Sequence, residues 1–339
     1  MELLVLGGTS FAGRHVVEQA LLAGHNVTTF NRGRTNPGIF PDVRSLRGDR
    51  ASGDYTALDG AGPFDAVVDM CAYVPRAVRE AMGALGPGAL NGPYILISSV
   101  SVYAEPEAQV DGQGFTEESP LAAMPEGVEP ATEDVTGETY GPLKVLTEEE
   151  AKKHLSGGVM VIRPGLIVGP HDPTDRFTYW VRRMADGGEV LAPEEPAVAR
   201  TQVIDARDLA RWIVASASAG RVGTFNAVAE PVLLAAVLEA APGDADVVWV
   251  PWEFLEAQGV QPWSDLPAWV PAPMAALLLA DGSKAAGDGL ETRPIGATVA
   301  DLAAWDRDRP DAPLRAGMTR EREAELLRML RAEGRTPGP

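Results

Sequence analysis

Two residues four positions apart, Tyr140 and Lys144, could together exchange a proton with a substrate. They lie in the stretch "ETYGPLK", and residues 105–139 before them contain no lysine or arginine. Pro142 favours the first turn of a helix, where its missing N–H has no cost, so it predicts a helix that begins at or beside Tyr140. On one face of that helix, the Lys144 ammonium and the positive helix end are expected to lower the pKa of the phenol. The phenol could then transfer a proton near neutral pH.

Serine hydroxyls end an apolar stretch upstream of this pair. The segment "YILISSVSVYA" predicts a buried strand that finishes at Ser98, Ser99 and Ser101. Ligands of open parallel sheets bind at the carboxyl ends of the strands. A serine hydroxyl there can hydrogen-bond a substrate oxygen while Tyr140 gives a proton and a nicotinamide gives a hydride. The combination predicts an oxidoreductase.

A glycine-rich loop near residue 7 indicates a dinucleotide site. The stretch "LVLGGTSFAGRHVVEQALLAGH" places glycines between an apolar strand and a helix. Glycine lets the backbone approach a pyrophosphate, which the free N–H groups of the helix N-terminus attract. The loop residues expected to contact the cofactor are Gly7, Thr9, Ser10, Phe11 and Gly13.

The end of the second predicted strand bears on the choice of cofactor. "NVTTF" is followed by Asn31, Arg32 and Arg34, and no acid stands there. An acid would hydrogen-bond the ribose 2′-hydroxyl of NAD, whereas an arginine accommodates the 2′-phosphate of NADP. NADP is therefore favoured over NAD, and a solvated basic turn is the alternative. The third strand ends in "GDR", where Asp49 is expected to meet the adenine amino group.

The alternation of strand-like and helix-like stretches predicts the architecture that must position these residues. It indicates an α/β fold with a doubly wound parallel (Rossmann) sheet and a smaller C-terminal substrate lobe. The dinucleotide-binding domain is expected over residues 1–170, with a return segment at 201–230. The substrate lobe and C-terminal helices are expected over residues 171–200 and 231–339.

Composition limits the partners and the compartment. The formal charge of −19 repels phosphate backbones and anionic membranes, and the chain has a single cysteine. No apolar run approaches the roughly 20 residues of a membrane span. "MELLVLGGTS" is interpreted as the first strand and not as a signal peptide. We therefore expect a cytoplasmic protein with no disulfide, no nucleic-acid partner and no membrane association.

In its motifs the chain resembles an extended or atypical short-chain dehydrogenase/reductase of the NAD-dependent epimerase/dehydratase type. The similar segments are "GGTSFAG", "GDR", "SSVSVYA", "YGPLK" and "VIRPGLIVGP", all within residues 1–170. The resemblance implies that Ser99 is the active-site hydroxyl and Tyr140 the general acid/base. It also implies that Lys144 tunes Tyr140 and grips the nicotinamide ribose, while Arg163, Pro164 and Gly165 line the nicotinamide pocket. Dimers through helices beside the active-site helix are common among such relatives, so a homodimer is an expectation by resemblance.

Further positions are expected beside the cofactor, and some depart from the family pattern. Cys71 and Ala72 follow the fourth strand, and Ser98 ends the fifth. Ser10 stands where the family has the middle glycine of GxxGxxG, and Asn31 replaces its usual acid. Glycine loops of this variant form resemble those of atypical members, among them a branch that binds RNA.

The substrate is less defined than the cofactor. Ten acids lie between residues 105 and 138, either as a rim that favours a cationic substrate or as a solvated loop. The side chains expected to contact a small-molecule substrate are Ser101, Arg176, Gln202 and Arg293. The leading interpretation is an NAD(P)-dependent reductase of a carbonyl or imine on a mid-sized metabolite. The alternatives are a sugar-nucleotide epimerase or dehydratase with bound NAD, and a non-catalytic nucleotide- or RNA-binding scaffold.

Overall fold

Residue contacts in the computed structural model divide the chain into two units. The structure describes residues 1–104, 114–155, 158–194 and 197–334. The first unit comprises Met1–Gly165, Ala206–Val228 and Ala280–Glu291, and the second comprises Leu166–Asp205, Ala229–Leu279 and Thr292–Pro339. The sequence-based division had placed 280–291 with the substrate lobe. In the structure this segment packs in the first unit, where Trp212 Nε1 donates to the Asp288 carbonyl at 3.1 Å.

The helices and strands of the described residues follow the alternation seen in the sequence. The strands are β1 (Glu2–Leu6), β2 (Asn26–Asn31), β3 (Arg44–Arg47), β4 (Ala66–Asp69), β5 (Tyr94–Ile97), β6 (Val159–Pro164), β7 (Leu166–Val168), β8 (Glu189–Pro193), β9 (Arg200–Thr201), β10 (Val203–Asp205), β11 (Gly223–Ala227), β12 (Val232–Leu233) and β13 (Asp246–Val250). The helices are α1 (Phe11–Leu22), α2 (Pro75–Leu85), α3 (Tyr140–His154), α4 (Arg176–Ala185), α5 (Ala206–Ser218), α6 (Leu234–Ala240), α7 (Trp252–Ala257), α8 (Ser283–Gly287), α9 (Ile295–Asp306) and α10 (Arg320–Ala332).

A parallel sheet forms the centre of the first unit. In the described part of the chain it has seven strands in the order β11-β6-β5-β4-β1-β2-β3. The chain winds outward from β1 to β3 and then returns to β4, so β1 and β4 are neighbours at the point where the winding reverses. This topology confirms the predicted doubly wound α/β fold. Ligands of such sheets bind at that reversal, beyond the strand ends.

Helices pack on the sheet as the hydrophobic pattern of the strands requires. Strands β1, β4 and β5 are almost entirely buried, which is typical of parallel strands covered on both faces. Helix α1 packs with α5, and α2 packs with α3. The α2–α3 contact includes Val74, Ala77 and Leu143, which form a small buried cluster. This cluster holds the start of α3 against the segment that follows β4.

The second unit has its own core and short sheets. Strand β7 pairs with β10 and β8 with β13 in parallel, while β9 and β12 are antiparallel. Its core includes the buried Trp180, Trp249 and Trp269. Ion pairs link its helices, such as that of Arg182 with Asp306 at 2.6 Å.

Across the described ranges, no helix combines the length and apolar character that crossing a bilayer requires.

The acidic segment before α3 is described only in part. Three of the ten acids counted between residues 105 and 138, namely Glu105, Glu107 and Asp111, lie outside the described residues. Among the other seven, Glu133 pairs with Arg76, whose hydrogen bond lowers the pKa of that carboxyl.

Candidate active site

The loop between β1 and α1 has the geometry of a phosphate cradle. Gly7 and Gly8 have φ angles of 109° and 90°, which side chains rarely adopt. A Cβ added to Gly13 would lie 2.9 Å from the Gly8 nitrogen, so this contact of helix and loop requires glycine. Ser10 is the N-cap of α1, but its side chain makes no capping hydrogen bond. The first-turn N–H groups are thus not capped by that hydroxyl, and the loop fits a dinucleotide pyrophosphate.

The remaining loop residues lie at the same strand ends. Phe11 begins α1 with a φ of 37°, and the Thr9 carbonyl accepts from Asn36 Nδ2 at 2.9 Å. This bond ties the glycine loop to the segment after β2. The loop and that segment therefore form one continuous edge.

Three arginines, Arg32, Arg34 and Arg47, lie at or just after the ends of β2 and β3. Asn31 accepts hydrogen bonds from Gly33 N at 2.8 Å and from Arg47 Nη1. A Cβ added to Gly33 would lie 2.5 Å from Arg47 Nη1, so the guanidinium packs directly on this glycine. Arg32 and Arg34 are exposed. Within the described residues none of the three arginines forms an ion pair, although acids outnumber bases 48 to 29 in the chain.

Arg47 is not among the residues that the sequence motifs predict. It ends β3, sixteen residues after Asn31, and no local motif marks it. The parallel pairing of Asn31 with Arg47 brings the two side chains together, so their contact depends on strand register.

A buried ion pair lies beneath the expected adenine side of the site. Arg50 donates to both Asp69 oxygens at 2.6 and 2.8 Å, and Tyr94 donates to Asp69 at 2.5 Å. Burial opposes ionisation of Asp69, but Arg50 outweighs this effect and lowers the pKa of the carboxyl. Asp49, by contrast, accepts from Ala51 N at 3.1 Å within its own turn. Its contact with adenine stays a prediction.

Cys71 lies between this ion pair and the glycine loop. Its thiol approaches the Leu6 carbonyl at 3.5 Å and receives a hydrogen bond from Arg50 at 3.3 Å. Burial raises the pKa of the Cys71 thiol. The side chain thus packs as a neutral thiol under the strand ends.

Helix α3 begins at Tyr140, as the position of Pro142 predicts. The next residue, Gly141, allows a very close approach, because an added Cβ would lie only 2.1 Å from the Ser101 carbonyl oxygen. The start of the helix therefore rests directly on the turn after β5. Tyr140 is half-buried there.

Lys144 on α3 is a buried and hydrogen-bonded cation. It is 3 % exposed, and its Nζ donates to the carbonyls of Ala72 and Ile97 at 2.8 and 2.9 Å. Nζ lies 5.9 Å from the centre of the Tyr140 ring. Burial lowers the pKa of Lys144 to about 8. At pH 7 the ammonium still exceeds the amine about tenfold, so a positive charge stands beside the phenol.

The three serines differ in their hydrogen-bond partners, and Ser99 is buried, at 8 % exposed. Ser99 donates to Ser101 Oγ at 3.0 Å and accepts from Ser101 N at 3.1 Å, and Ser101 is exposed. Ser98 instead donates to Glu148 at 2.6 Å, inside the protein. Ser99 and Ser101 thus form the hydroxyl edge beside the start of α3, while Ser98 fixes the strand end.

Glu148 was not predicted and holds three elements together. Its carboxylate accepts from Arg163 at 3.0 and 2.7 Å in addition to Ser98, and both charged side chains are buried. The pair joins β5, α3 and β6. Glu148 is four residues after Lys144, so the same helix periodicity could have indicated its inward position.

Arg163 also anchors the segment before α3. Its Nη1 donates to the Tyr103 hydroxyl at 3.1 Å and to the Glu117 carbonyl at 3.2 Å. Tyr103 in turn hydrogen-bonds Asn226 in β11. The neighbouring Pro164 ends β6, and Gly165 N donates to the Ala227 carbonyl at 3.3 Å. Their role beside the nicotinamide stays a prediction.

Three of the four substrate candidates, Arg176, Gln202 and Arg293, belong to the second unit. The Arg176 guanidinium lies 5.5 Å from the centre of the Trp263 ring, and Gln202 donates to the Ala229 carbonyl at 3.0 Å. Arg293 lies 3.5 Å from both Asp205 and Asp301. Each of these side chains therefore has partners within its own unit.

Comparison with known proteins supplies a family match. A model of the NAD dependent epimerase/dehydratase family matches residues 3–227. No curated protein matches the sequence.

Several solved structures share the fold. The Bordetella bronchiseptica enzyme WbmH in complex with NAD⁺ has a TM-score of 0.65 and 17 % identity, with 91 % of this chain and 98 % of that chain covered. The UDP-N-acetylglucosamine 4-epimerase from Bacillus cereus has a TM-score of 0.66 and 16 % identity, with 93 % and 99 % covered. The UDP-glucuronic acid 4-epimerase from Bacillus cereus in complex with NAD has a TM-score of 0.64 and 14 % identity, with 91 % and 99 % covered. At such identities the likeness concerns the fold.

Proposed function

Because the chain belongs to the NAD dependent epimerase/dehydratase family, we propose that it oxidises a secondary hydroxyl of a nucleotide sugar and then reduces the resulting ketone again. The observation that carries the proposal is the placement of Tyr140 at the start of α3, with the Lys144 ammonium 5.9 Å from its ring centre. The epimerases among the similar structures support this reaction over net reduction of a carbonyl or imine, which we had expected from the sequence.

Each residue of the group has a distinct part in this reaction. When bound, a nicotinamide cofactor accepts the hydride and later returns it. Tyr140 takes the proton of the substrate hydroxyl as the C–H bond breaks and gives it back when the ketone is reduced. Lys144 favours the phenolate by its charge, and Ser99 donates a hydrogen bond to the reacting oxygen. Val100 follows Ser99 where a dehydratase often needs an acid, so epimerisation is favoured over dehydration.

A nucleotide sugar carries a diphosphate, which a guanidinium binds through charge-assisted hydrogen bonds. Arg293, a substrate residue predicted from the sequence, is one candidate for this contact. Arg176 stacks over Trp263 and is the second candidate, and Gln202 is a candidate hydrogen-bond donor to the sugar.

A second candidate function is a reductase that consumes NADPH. The specific observation in its favour is the set of Arg32, Arg34 and Arg47, which lie at or just after the ends of β2 and β3 and form no ion pair in the described residues, with Arg47 donating to Asn31. Three unneutralised arginines at the end of β2 and β3 suit the 2′-phosphate of NADP. A net reductase releases its oxidised cofactor after each turnover, whereas an epimerase keeps it.

One experiment separates the candidates. Nucleotide released from the purified protein by denaturation is identified by mass spectrometry, and UDP-sugars are then followed by NMR with and without added NADPH. Retained NAD with conversion of one UDP-sugar into its epimer supports the main proposal. NADPH consumption with a ketone or imine supports the second candidate. Binding of nucleotide without any turnover would overturn both and favour a non-catalytic scaffold.

The matched variants are Tyr140→Phe and Tyr55→Phe. Each removes one hydroxyl from the first unit, but the Tyr55 hydroxyl donates to the Ala77 carbonyl of α2 at 3.3 Å. Tyr140→Phe should lower kcat by about 10² to 10⁴, the usual contribution of general acid–base catalysis. Tyr55→Phe should leave kcat unchanged. Full activity in Tyr140→Phe would refute the assignment of the acid/base.

A further inference from the structure

A second tyrosine lies against Lys144 and has no part in the reaction described so far. The Lys144 Nζ lies over the Tyr73 ring, 4.8 Å from its centre and closer than to Tyr140. The two tyrosine rings are 6.4 Å apart at an angle of 44°. Lys144 therefore stands next to two aromatic rings, one on α3 and one in the segment after β4.

Tyr73 is held in this position by its neighbours along the chain. Val74 packs with Leu143, the residue before Lys144, in the buried cluster of α2 and α3. The Ala72 carbonyl accepts a hydrogen bond from Lys144 itself. The residues on both sides of Tyr73 thus contact α3, although Tyr73 as a whole residue is 48 % exposed.

We propose that Tyr73 is a positioning residue whose ring covers the Lys144 ammonium against water and so keeps its charge directed at Tyr140. The proposal deepens the proposed function and rests on it, because the covered charge serves the Tyr140 phenol.

The hydrogen bonds of Lys144 support this role. An ammonium has three donors, and two of them reach the carbonyls of Ala72 and Ile97. Between those carbonyls and the two rings, Lys144 is only 3 % exposed. Removal of the half-exposed Tyr73 ring would open a path for water to the charge.

Tyr73 does not compete with Tyr140 as a proton acceptor. Burial and the neighbouring Tyr140 raise the pKa of the Tyr73 phenol, so it stays neutral near pH 7. Its contribution comes from the cover that the ring provides.

The Tyr73 ring has two opposing effects on the pKa of Lys144, so the direction in which this pKa changes when the ring is removed tests the proposal. A ring that excludes water disfavours the ammonium, whereas the electron-rich face of a ring favours it by cation–π attraction. If cover dominates, loss of the ring raises the pKa of Lys144. If cation–π attraction dominates, loss of the ring lowers it. The other titratable or charged groups that face Lys144 are Asp69, Cys71, Arg50, Glu148 and Tyr140, and none of them is substituted in the Tyr73 variants below.

The lysine composition of the chain allows a direct measurement. The sequence contains only four lysines, namely Lys144, Lys152, Lys153 and Lys284. Labelling lysine with ¹³C at Cε gives four NMR signals whose shifts follow protonation, and loss of one signal in Lys144→Met assigns Lys144. In the full-length protein, the Lys144 signal should titrate near pH 8.

Three substitutions of Tyr73 separate cover from cation–π attraction. Tyr73→Ala should raise the Lys144 midpoint by about one pH unit or more, toward that of a solvated lysine. Tyr73→Phe and Tyr73→Leu should stay close to the unmodified protein, because both keep a bulky cover and leucine keeps it without a π face. An unchanged or lower midpoint in Tyr73→Ala would overturn the proposal, as would a Leu variant that behaves like Ala.

A control and an independent readout complete the test. Val222→Ala removes another apolar side chain of the first unit with the same 48 % exposure and should leave the Lys144 signal unchanged. The titration needs neither substrate nor turnover, so it can fail while the proposed reaction stands. It can also succeed in a protein that proves to have no epimerase activity.

Where turnover is measurable, the acidic limb of the kcat profile should move to higher pH in Tyr73→Ala only.

Discussion

Replacement of Lys144 by methionine should remove a pH dependence from the stability of the protein. Burial lowers the pKa of Lys144 from 10.5 in the unfolded chain to about 8 in the fold. Between these two values the unfolded chain binds more protons than the native protein, so the free energy of unfolding rises with pH across that window. Below pH 8 both states are protonated and the full cost of the buried charge is present.

The contribution of Lys144 to the free energy of unfolding follows from the difference between its pKa values in the folded and unfolded chain. At 1.36 kcal/mol per unit, ionised Lys144 costs about 3 kcal/mol of stability at pH 7. Methionine avoids this cost, but it leaves the carbonyls of Ala72 and Ile97 without a donor, at about 1 kcal/mol each. Lys144→Met should thus be as stable as the unmodified protein at pH 7, or about 1 kcal/mol more stable, although a buried polar contact is deleted.

The assay is urea unfolding of nucleotide-free protein at pH 7 and pH 9. The lost carbonyl contacts do not titrate, so they cancel when the two pH values are compared. Relative to Lys144→Met, the unmodified protein should gain between about 1 and 2 kcal/mol from pH 7 to pH 9. Lys153 lies on the same helix with a side chain that is 67 % exposed, so Lys153→Met is the control. Relative to Lys153→Met, the unmodified protein should show no such gain. An equal difference at both pH values would refute the argument, because Lys144 would then titrate as a solvated lysine.

Other predictions concern the contacts around this lysine and the cofactor edge. Gly141→Ala should lower kcat about 100-fold or more by displacing the start of α3 from the Ser101 carbonyl, and thermal unfolding should show that the fold persists; normal turnover would contradict the close approach. Glu148→Gln should lower the free energy of unfolding by about 3 to 5 kcal/mol in urea, since it leaves Arg163 buried without its carboxylate; a loss below 1 kcal/mol would mean that the pair is solvated. Arg47→Ser should weaken NADPH binding about tenfold or more in calorimetry and leave NADH binding unchanged; equal losses for both would argue against a 2′-phosphate contact.

Local patterns in the sequence determined the fold class and supplied the candidate site residues. The glycine loop, the serine strand and the Tyr140/Lys144 spacing each lie within about a dozen consecutive residues. A helix start or a strand end is decided mainly by neighbours in the chain, so such patterns predict it well. The family interpretation followed from these same segments and is confirmed by the match over residues 3–227.

Tertiary structure alone decided what surrounds those residues. Tyr73 reaches Lys144 across 71 positions, Glu148 reaches Ser98 across 50, and Arg47 reaches Asn31 through the register of two strands. These contacts arise because parallel strands bring distant segments to one edge and exclude water there, which no local periodicity records. Lys144 could be identified in the sequence, but its lowered pKa is caused by burial. Lys144 is buried only once the sheet and α3 have packed around it.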